Sequence, residues 1–160
     1  MRYIESPTVY EPDLTTLVPE SELYNKLFLA GGITGCPDWQ ADVVKLLENT
    51  DVILFNPRRK DFPIHDPLAA EAQIKWEHDH LRKANAILFW FPKETLCPIV
   101  LYELGAWSMT AKPIFVGMHP YYQRRHDVEI QTKLVRRGNK VDIMYSIDDL
   151  VDQVIHRWKL

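Results

Sequence analysis

Apolar and polar positions alternate along the chain in blocks, not residue by residue. Five short apolar runs recur: Leu27–Ala30, Val52–Phe55 (opened by Asp51), Ala86–Phe91, Ile114–Val116 (opened by Pro113) and the segment 141–145. Gly31-Gly32, Asn56-Pro57 and Pro92 close the first three, as expected of buried strands that end in turns. Segments with helical spacing separate the runs. Asp38 is placed to cap a helix from Trp39 to about Glu48, with Trp39, Val43, Leu46 and Leu47 on its apolar side. A second helix is predicted over 67–83, with Ala69, Ala72, Ile74, Trp76 and Leu81 as its apolar positions. A third runs over about 99–110, and a fourth over 122–137 with Gly138 as its stop. The last covers 147–158 behind a Ser146 cap, with Ile147, Leu150, Val151, Val154 and Ile155 in helical register.

Strands alternating with helices imply an α/β domain with a parallel sheet, and right-handed crossovers place helices on both faces. The expectation is a Rossmann-like three-layer sandwich with a five-stranded parallel sheet in the order 2-1-3-4-5. Its ligand crevice would lie at the switch point between the first and third strands. Residues 1–25 lack this pattern. Tyr3-Ile4 and Thr8-Val9-Tyr10 are short extended candidates broken by Pro7 and Pro12, and 21–24 suggests a turn. This stretch is read as an N-terminal extension packed on an edge or on a neighbouring subunit, ahead of a single domain over 26–160.

The 160 residues, 46% of them hydrophobic and 26% charged, suit one soluble domain with a substantial core. A net charge of −3 argues against a nucleic-acid polymer or an anionic membrane as partner. No apolar run approaches the ~20 residues of a membrane helix. The polar N-terminus has no signal-peptide pattern, and two cysteines, Cys36 and Cys97, fit reduced thiols in a cytoplasmic protein. Basic clusters at Arg58-Arg59-Lys60, Arg124-Arg125 and Arg136-Arg137 read as solvated rims.

The chemistry concentrates in residues 85–105. Glu103 stands among Leu101, Tyr102, Leu104 and Ala106, in the first turns of a helix that follows a buried strand. A carboxylate in apolar company at the carboxyl end of a parallel strand is expensive to keep and well placed to act on a ligand. Glu77 or Asp79 of the preceding helix can meet it across the crevice, one carboxyl as nucleophile and the other as acid and base. The Gly31–Pro37 loop has neither GxGxxG nor a Walker lysine. His78 and His80 are two apart on a helix and point in different directions. No metal site and no cofactor is expected. Trp90, Tyr102, Trp107, Tyr121 and Tyr122 are aromatic candidates for stacking on a base.

Four stretches together, LFLAGGITG, WEHDHLRKAN, AILFWF and LCPIVLYELGAWS, resemble the nucleoside 2-deoxyribosyltransferase family, and its divergent deoxyribosyltransferase-like branch most closely. The resemblance spans about residues 26–120, and its most specific piece is YELG. It implies a flavodoxin-like domain, a glutamate nucleophile in an ExG motif, and homo-oligomers (dimer or hexamer) whose subunits complete each other's sites. The implied reaction cleaves the N-glycosidic bond of a 2′-deoxynucleoside and passes the sugar to an acceptor nucleobase. Related members hydrolyse deoxynucleotides instead. By position, Glu103 falls on the nucleophile. Glu77, seven residues before Ala84, falls on an aspartate near the base, with Asp79 a rival of the usual residue type. Gly31, Gly32 and Ile33 fall on the pocket loop. Cys97 occupies the place, six residues before the nucleophile, where an Asp or Ser commonly holds the sugar 5′ end. Asp38, Asn56, Trp76 and Tyr102 complete the candidate substrate-binding set. Arg58 and Arg59 raise the option of a 5′-phosphate. The C-terminal residues that some members lend to a neighbour have no counterpart here. A non-catalytic nucleotide-binding module is the reading from a different class.

Overall fold

The computed structural model describes residues 1–12, 25–63, 65–138 and 140–160; the turn expected over 21–24 lies outside them. Along the described chain run β1 (Arg2–Glu5), β2 (Lys26–Gly31), α1 (Trp39–Leu46), β3 (Ile53–Asn56), α2 (Pro67–Lys83), β4 (Ala86–Phe91), α3 (Pro98–Ser108), β5 (Ile114–Met118), α4 (Arg125–Val135), β6 (Ile143–Met144) and α5 (Ile147–Trp158).

All strand pairs are parallel, in the order β1-β3-β2-β4-β5-β6. The five strands expected from the apolar runs stand in the expected relative order, but the sheet has six strands, not five. The addition is β1, which lies outside β3 with Ile4 opposite Phe55. Only Ile4 of this strand is buried, while Arg2 and Tyr3 are exposed. An edge strand with one inward side chain leaves almost no apolar signature, and Pro7 follows it at once.

Every residue of β2 and β4 is buried, because helices cover both faces of the sheet. Phe28, Ala30, Phe55, Ile87, Phe89 and Phe91 face one way, packed with Trp76 and Leu81 of α2, Val100 and Leu104 of α3 and Val128 of α4. Leu27, Leu29, Leu54, Leu88 and Trp90 face the other way, onto Trp39 and Val43 of α1 and Leu150, Val151 and Val154 of α5. The result is an α/β sandwich with one helical layer on each side.

Helix ends follow the caps the sequence offers. Asp38 accepts from the Ala41 amide, Asp66 from Leu68 and Ser146 from Asp149. Helix α4 departs from expectation by ending at Val135, with Gly138 playing no left-handed role. The cause is Arg136: it is 5% exposed and turns inward to donate to the carbonyls of Trp107 and Lys112, so it is no part of a solvated rim. On α2, Ala72 and Ile74 face outward, with Ile74 66% exposed, because Ala69, Trp76, His80 and Leu81 set the buried side.

Candidate active site

The crevice opens at the carboxyl ends of β2 and β4, on the α2–α3 face. Its volume is about 280 Å3, close to the lower end of small-molecule pockets at roughly 300–1,000 Å3. Phe28 and Ala30 form the apolar floor, and the backbone from Gly31 to Thr34 forms one wall. Pro57 enters from the end of β3. Thr95, Cys97 and Pro98 come from the β4–α3 connection, and Glu77, Val100 and Glu103 project from the helices. A wider apolar groove of about 720 Å3 continues outward between α2 and α3, sharing Glu77, Ile99 and Glu103 with the crevice and adding Phe62, Ile74, Tyr102 and Trp107.

Glu103 reaches this place because α3 starts abruptly. Cys97 adopts a left-handed conformation (φ 50°, ψ 54°), and Pro98 then fixes the first helical turn. Val100 and Leu104 anchor the helix in the core, so the intervening Glu103 is held against the crevice. Burial, and secondarily the charge of Glu77, pushes the Glu103 carboxyl up to about 8. Burial also raises Glu77, against a hydrogen bond from Gln73 Nε2 to Glu77 Oε1 (2.8 Å) that favours its ionised form. Gln73 is itself fixed: its Nε2 donates to the Pro57 carbonyl at 2.8 Å, and its Oε1 accepts from Ser6 Oγ at 2.6 Å. The two carboxyls line one apolar crevice, and the charge on Glu77 works against ionising Glu103.

The glycine wall is tight because protein packs against it. A Cβ on Gly31 would lie 2.5 Å from the Trp90 carbonyl oxygen, and one on Gly32 would lie 2.7 Å from Pro92 Cγ and 3.1 Å from Cys36 Sγ. Arg58 then pins the loop. Its guanidinium donates to the carbonyls of Ile33, Cys36 and Pro37 and to Gln40 Oε1 at 2.8–3.0 Å, and it pairs with Asp38 at 3.5 Å. These are the contacts of a clamp, and they correct the reading of Arg58 as a solvated or phosphate-facing cation.

The sequence profile of nucleoside 2-deoxyribosyltransferase-like proteins matches residues 24–122, more than half of the chain. The chain belongs to this family. A search of curated proteins finds no match.

Of the residues that the deoxyribosyltransferase-like pattern points to, the fold brings Gly31, Gly32, Ile33, Glu77, Cys97 and Glu103 together around one crevice. Cys97 is 5% exposed, and burial pushes its thiol up to about 11. Both cysteines are free, and Cys36 also has its thiol raised by burial.

The fold does not bring the remaining candidates into the crevice. Asp79 sits on the exposed flank of α2 beside His78 Nδ1 (3.2 Å), since two residues along a helix turn the side chain away from Glu77's face. Asp38 is the α1 cap. Asn56, 3% exposed, is spent on the Tyr3 hydroxyl and the Arg58 amide. Trp76 stacks on His80 (3.9 Å between centroids) and donates from Nε1 to the Thr8 carbonyl. Tyr102 is 78% exposed in the outer groove. Trp90 belongs to the opposite face of the sheet, and the buried Tyr122 donates to the Leu96 carbonyl. Thr34, Thr95, Pro57 and Gln73 are additions without a sequence signal. Loop hydroxyls and a helical glutamine are common, and only the folded chain shows which of them converge. Among the described residues no three His, Cys, Asp or Glu side chains gather as a metal site, and no helix is long and apolar enough to cross a membrane.

Proposed function

We propose that this protein cleaves the N-glycosidic bond of a 2′-deoxynucleoside and transfers the sugar to a second nucleobase. Glu103 is the nucleophile and Glu77 the acid and base. The observation that carries this reading is the pairing of Glu77 and Glu103 in one apolar crevice, in a chain of the deoxyribosyltransferase-like family.

In the first step the Glu103 carboxylate attacks C1′. An ester C–O bond forms as the C1′–N bond breaks, and the Glu77 proton moves to a ring nitrogen of the departing base. In the second step a nitrogen of the incoming base attacks C1′. Glu77 takes that base's proton, and Glu103 leaves as carboxylate. One proton for two carboxyls is the stoichiometry this cycle needs. In the empty crevice the proton rests on the more strongly raised Glu103, and in the reactive arrangement it stands on Glu77. The Thr34 and Thr95 hydroxyls are the polar groups available to the sugar, while Cys97 brings a neutral thiol. No step calls for a metal or an organic cofactor. The exposed apolar row of Ile74, Ile99 and Tyr102 beside the crevice supports a homo-oligomer built on this face.

Incubation with deoxyinosine or thymidine plus adenine, followed by chromatography, tests the reading. Deoxyadenosine should form with intact Glu103 and vanish in Glu103→Ala. Free base and free deoxyribose without deoxyadenosine assign the protein to the hydrolase alternative, with water in the second step. Tight nucleoside binding with no product over hours assigns it to the binding-module alternative. Unchanged turnover in Glu103→Ala overturns the assignment of the nucleophile.

A further inference from the structure

The N-terminal strand is tied to the crevice by a route that family membership does not supply, since the family match begins only at residue 24. Ser6 follows β1 and is 3% exposed. Its amide donates to the Asn56 carbonyl at 3.0 Å, so its backbone is fixed to the end of β3. Its hydroxyl donates to Gln73 Oε1 at 2.6 Å, across 67 residues of sequence. Two more bonds hold the chain beyond Ser6 to α2. Trp76 Nε1 donates to the Thr8 carbonyl at 2.7 Å, and the Tyr10 amide donates to His80 Nε2 at 3.3 Å.

We propose that Ser6 and Gln73 are positioning residues for Glu77: the Ser6 hydroxyl fixes the Gln73 amide, and the amide directs the Glu77 proton to Oε2. The proposal rests on the reading of Glu77 as the acid.

The orientation follows from donor and acceptor counting. A primary amide has one acceptor oxygen and two N–H donors. The Pro57 carbonyl can only accept, so the Gln73 edge that meets Pro57 and Glu77 has to be the NH2. Its oxygen then points to Ser6, which supplies the donor it needs. All three hydrogen-bonding positions of the amide are used. Reversing it would set Oε1 against the Pro57 carbonyl with no proton between the two oxygens, and would leave the Ser6 hydroxyl facing an NH2. With an N–H always aimed at Oε1, a proton on Glu77 belongs on Oε2, and among the described residues Oε2 has no hydrogen-bonding partner. As Oε2 gives its proton to a departing base, negative charge grows on the carboxylate and the Gln73 bond becomes charge-assisted. That bond is stronger after transfer than before, which is how a neighbour lowers a barrier. The charged group facing Glu77 from another element is Glu103 of α3. His78 and Arg82 of α2 line only the outer groove, and the β3 end contributes the uncharged Pro57.

The test uses the full chain with 13C-labelled glutamate carboxyls, titrated by NMR, alongside steady-state kinetics with deoxynucleoside and acceptor base. Gln73→Leu removes the donor to Glu77, so the Glu77 titration should move up by about one pH unit. Ser6→Ala should move it the same way by less, and Ser6→Thr should stay near wild type. In kinetics, Gln73→Leu should lower kcat about 10-fold to 100-fold, the loss of one hydrogen bond to a developing charge. KM should stay within about twofold, and Ser6→Thr should again rescue what Ser6→Ala loses. A Glu77 titration unchanged in both Gln73→Leu and Ser6→Ala overturns the proposal, and the milder Ser6→Ala decides alone if Gln73→Leu does not fold. The two readings separate cleanly. If the wild-type protein turns over no deoxynucleoside, the transfer reaction is refuted, while a titration shifted in the variants still upholds the orientation of Glu77.

Discussion

Replacing Glu103 with glutamine should make the protein more stable, and increasingly so as pH rises. In the folded protein Glu103 keeps its proton up to about pH 8, whereas its ordinary value is 4.5. Between these values the folded protein binds more protons than the unfolded chain, so its stability falls as pH rises through the window. The full rise corresponds to about 5 kcal/mol, at about 1.36 kcal/mol per pH unit. Solvent entering at the open mouth of the crevice reduces this, and about 2–3 kcal/mol is expected at pH 9. Glutamine keeps the shape and never ionises, so it escapes this cost. For a chain of this length, that gain is a Tm increase of about 5–10 °C at pH 9 and almost none near pH 5. Thermal unfolding of both proteins at pH 5, 7 and 9, followed by circular dichroism, measures the difference. An advantage of Glu103→Gln that is absent, or equal at pH 5 and pH 9, would refute the argument that burial and Glu77 keep this carboxyl neutral.

Glu77→Gln should lower kcat about 10²-fold to 10⁴-fold, as loss of a general acid does; it should also bring the Glu103 titration down from about 8, since the facing charge is gone, which a carboxyl NMR titration reads directly. Arg58→Ala frees three loop carbonyls and Gln40, so a loss of about 2 kcal/mol in urea unfolding is expected. The ratio of nucleoside to 5′-monophosphate turnover should not change in that variant, and a selective loss of the monophosphate would return Arg58 to the substrate. Gly32→Ala places a methyl group 2.7 Å from Pro92 Cγ, and the overpacking should cost about 1–3 kcal/mol by the same assay. The row of Ile74 (66% exposed), Ile99 (64%) and Tyr102 (78%) should lie between copies of the chain. Ile99→Asp with Tyr102→Asp is expected to lower the mass seen by light scattering, and a wild-type monomer at micromolar concentration would contradict the proposed oligomer.

The central strands were legible because β2 and β4 are covered on both faces, which forces the continuous apolar runs Leu27–Ala30 and Ala86–Phe91. The place of Glu103 at the crevice was legible for a related reason, since it is a charge among residues that have to pack. Edge strand β1 was not, since one buried residue in four makes no pattern. That Glu77 lines the crevice while Asp79 lies on the exposed flank was not legible, because it follows from the rotation of α2, which turns Trp76 and His80 inward to meet the N-terminal segment. Sequence offered Ile74 as core, and that same rotation leaves it outside. Arg58 illustrates a wider limit. A cation is visible in sequence, but the three carbonyls that engage it belong to a loop whose backbone direction exists only once the chain has folded.

The pairing of β1 with β3 also sets a schedule for synthesis. Arg2 meets Ile53 across the sheet, so β1 has no strand to join until about fifty more residues have been made, which takes several seconds at roughly 5–20 residues per second. Strands β2 and β3 can pair through the single helix between them, a much more local closure. Strand β1 is therefore seated after strands that are made later than it. Gln73 is made later still, so the contact between Ser6 and α2 forms only once the far side of that helix has a partner waiting. A chain in which residues 2–5 are held away would then carry an assembled sheet in which the edge of β3 is still bare.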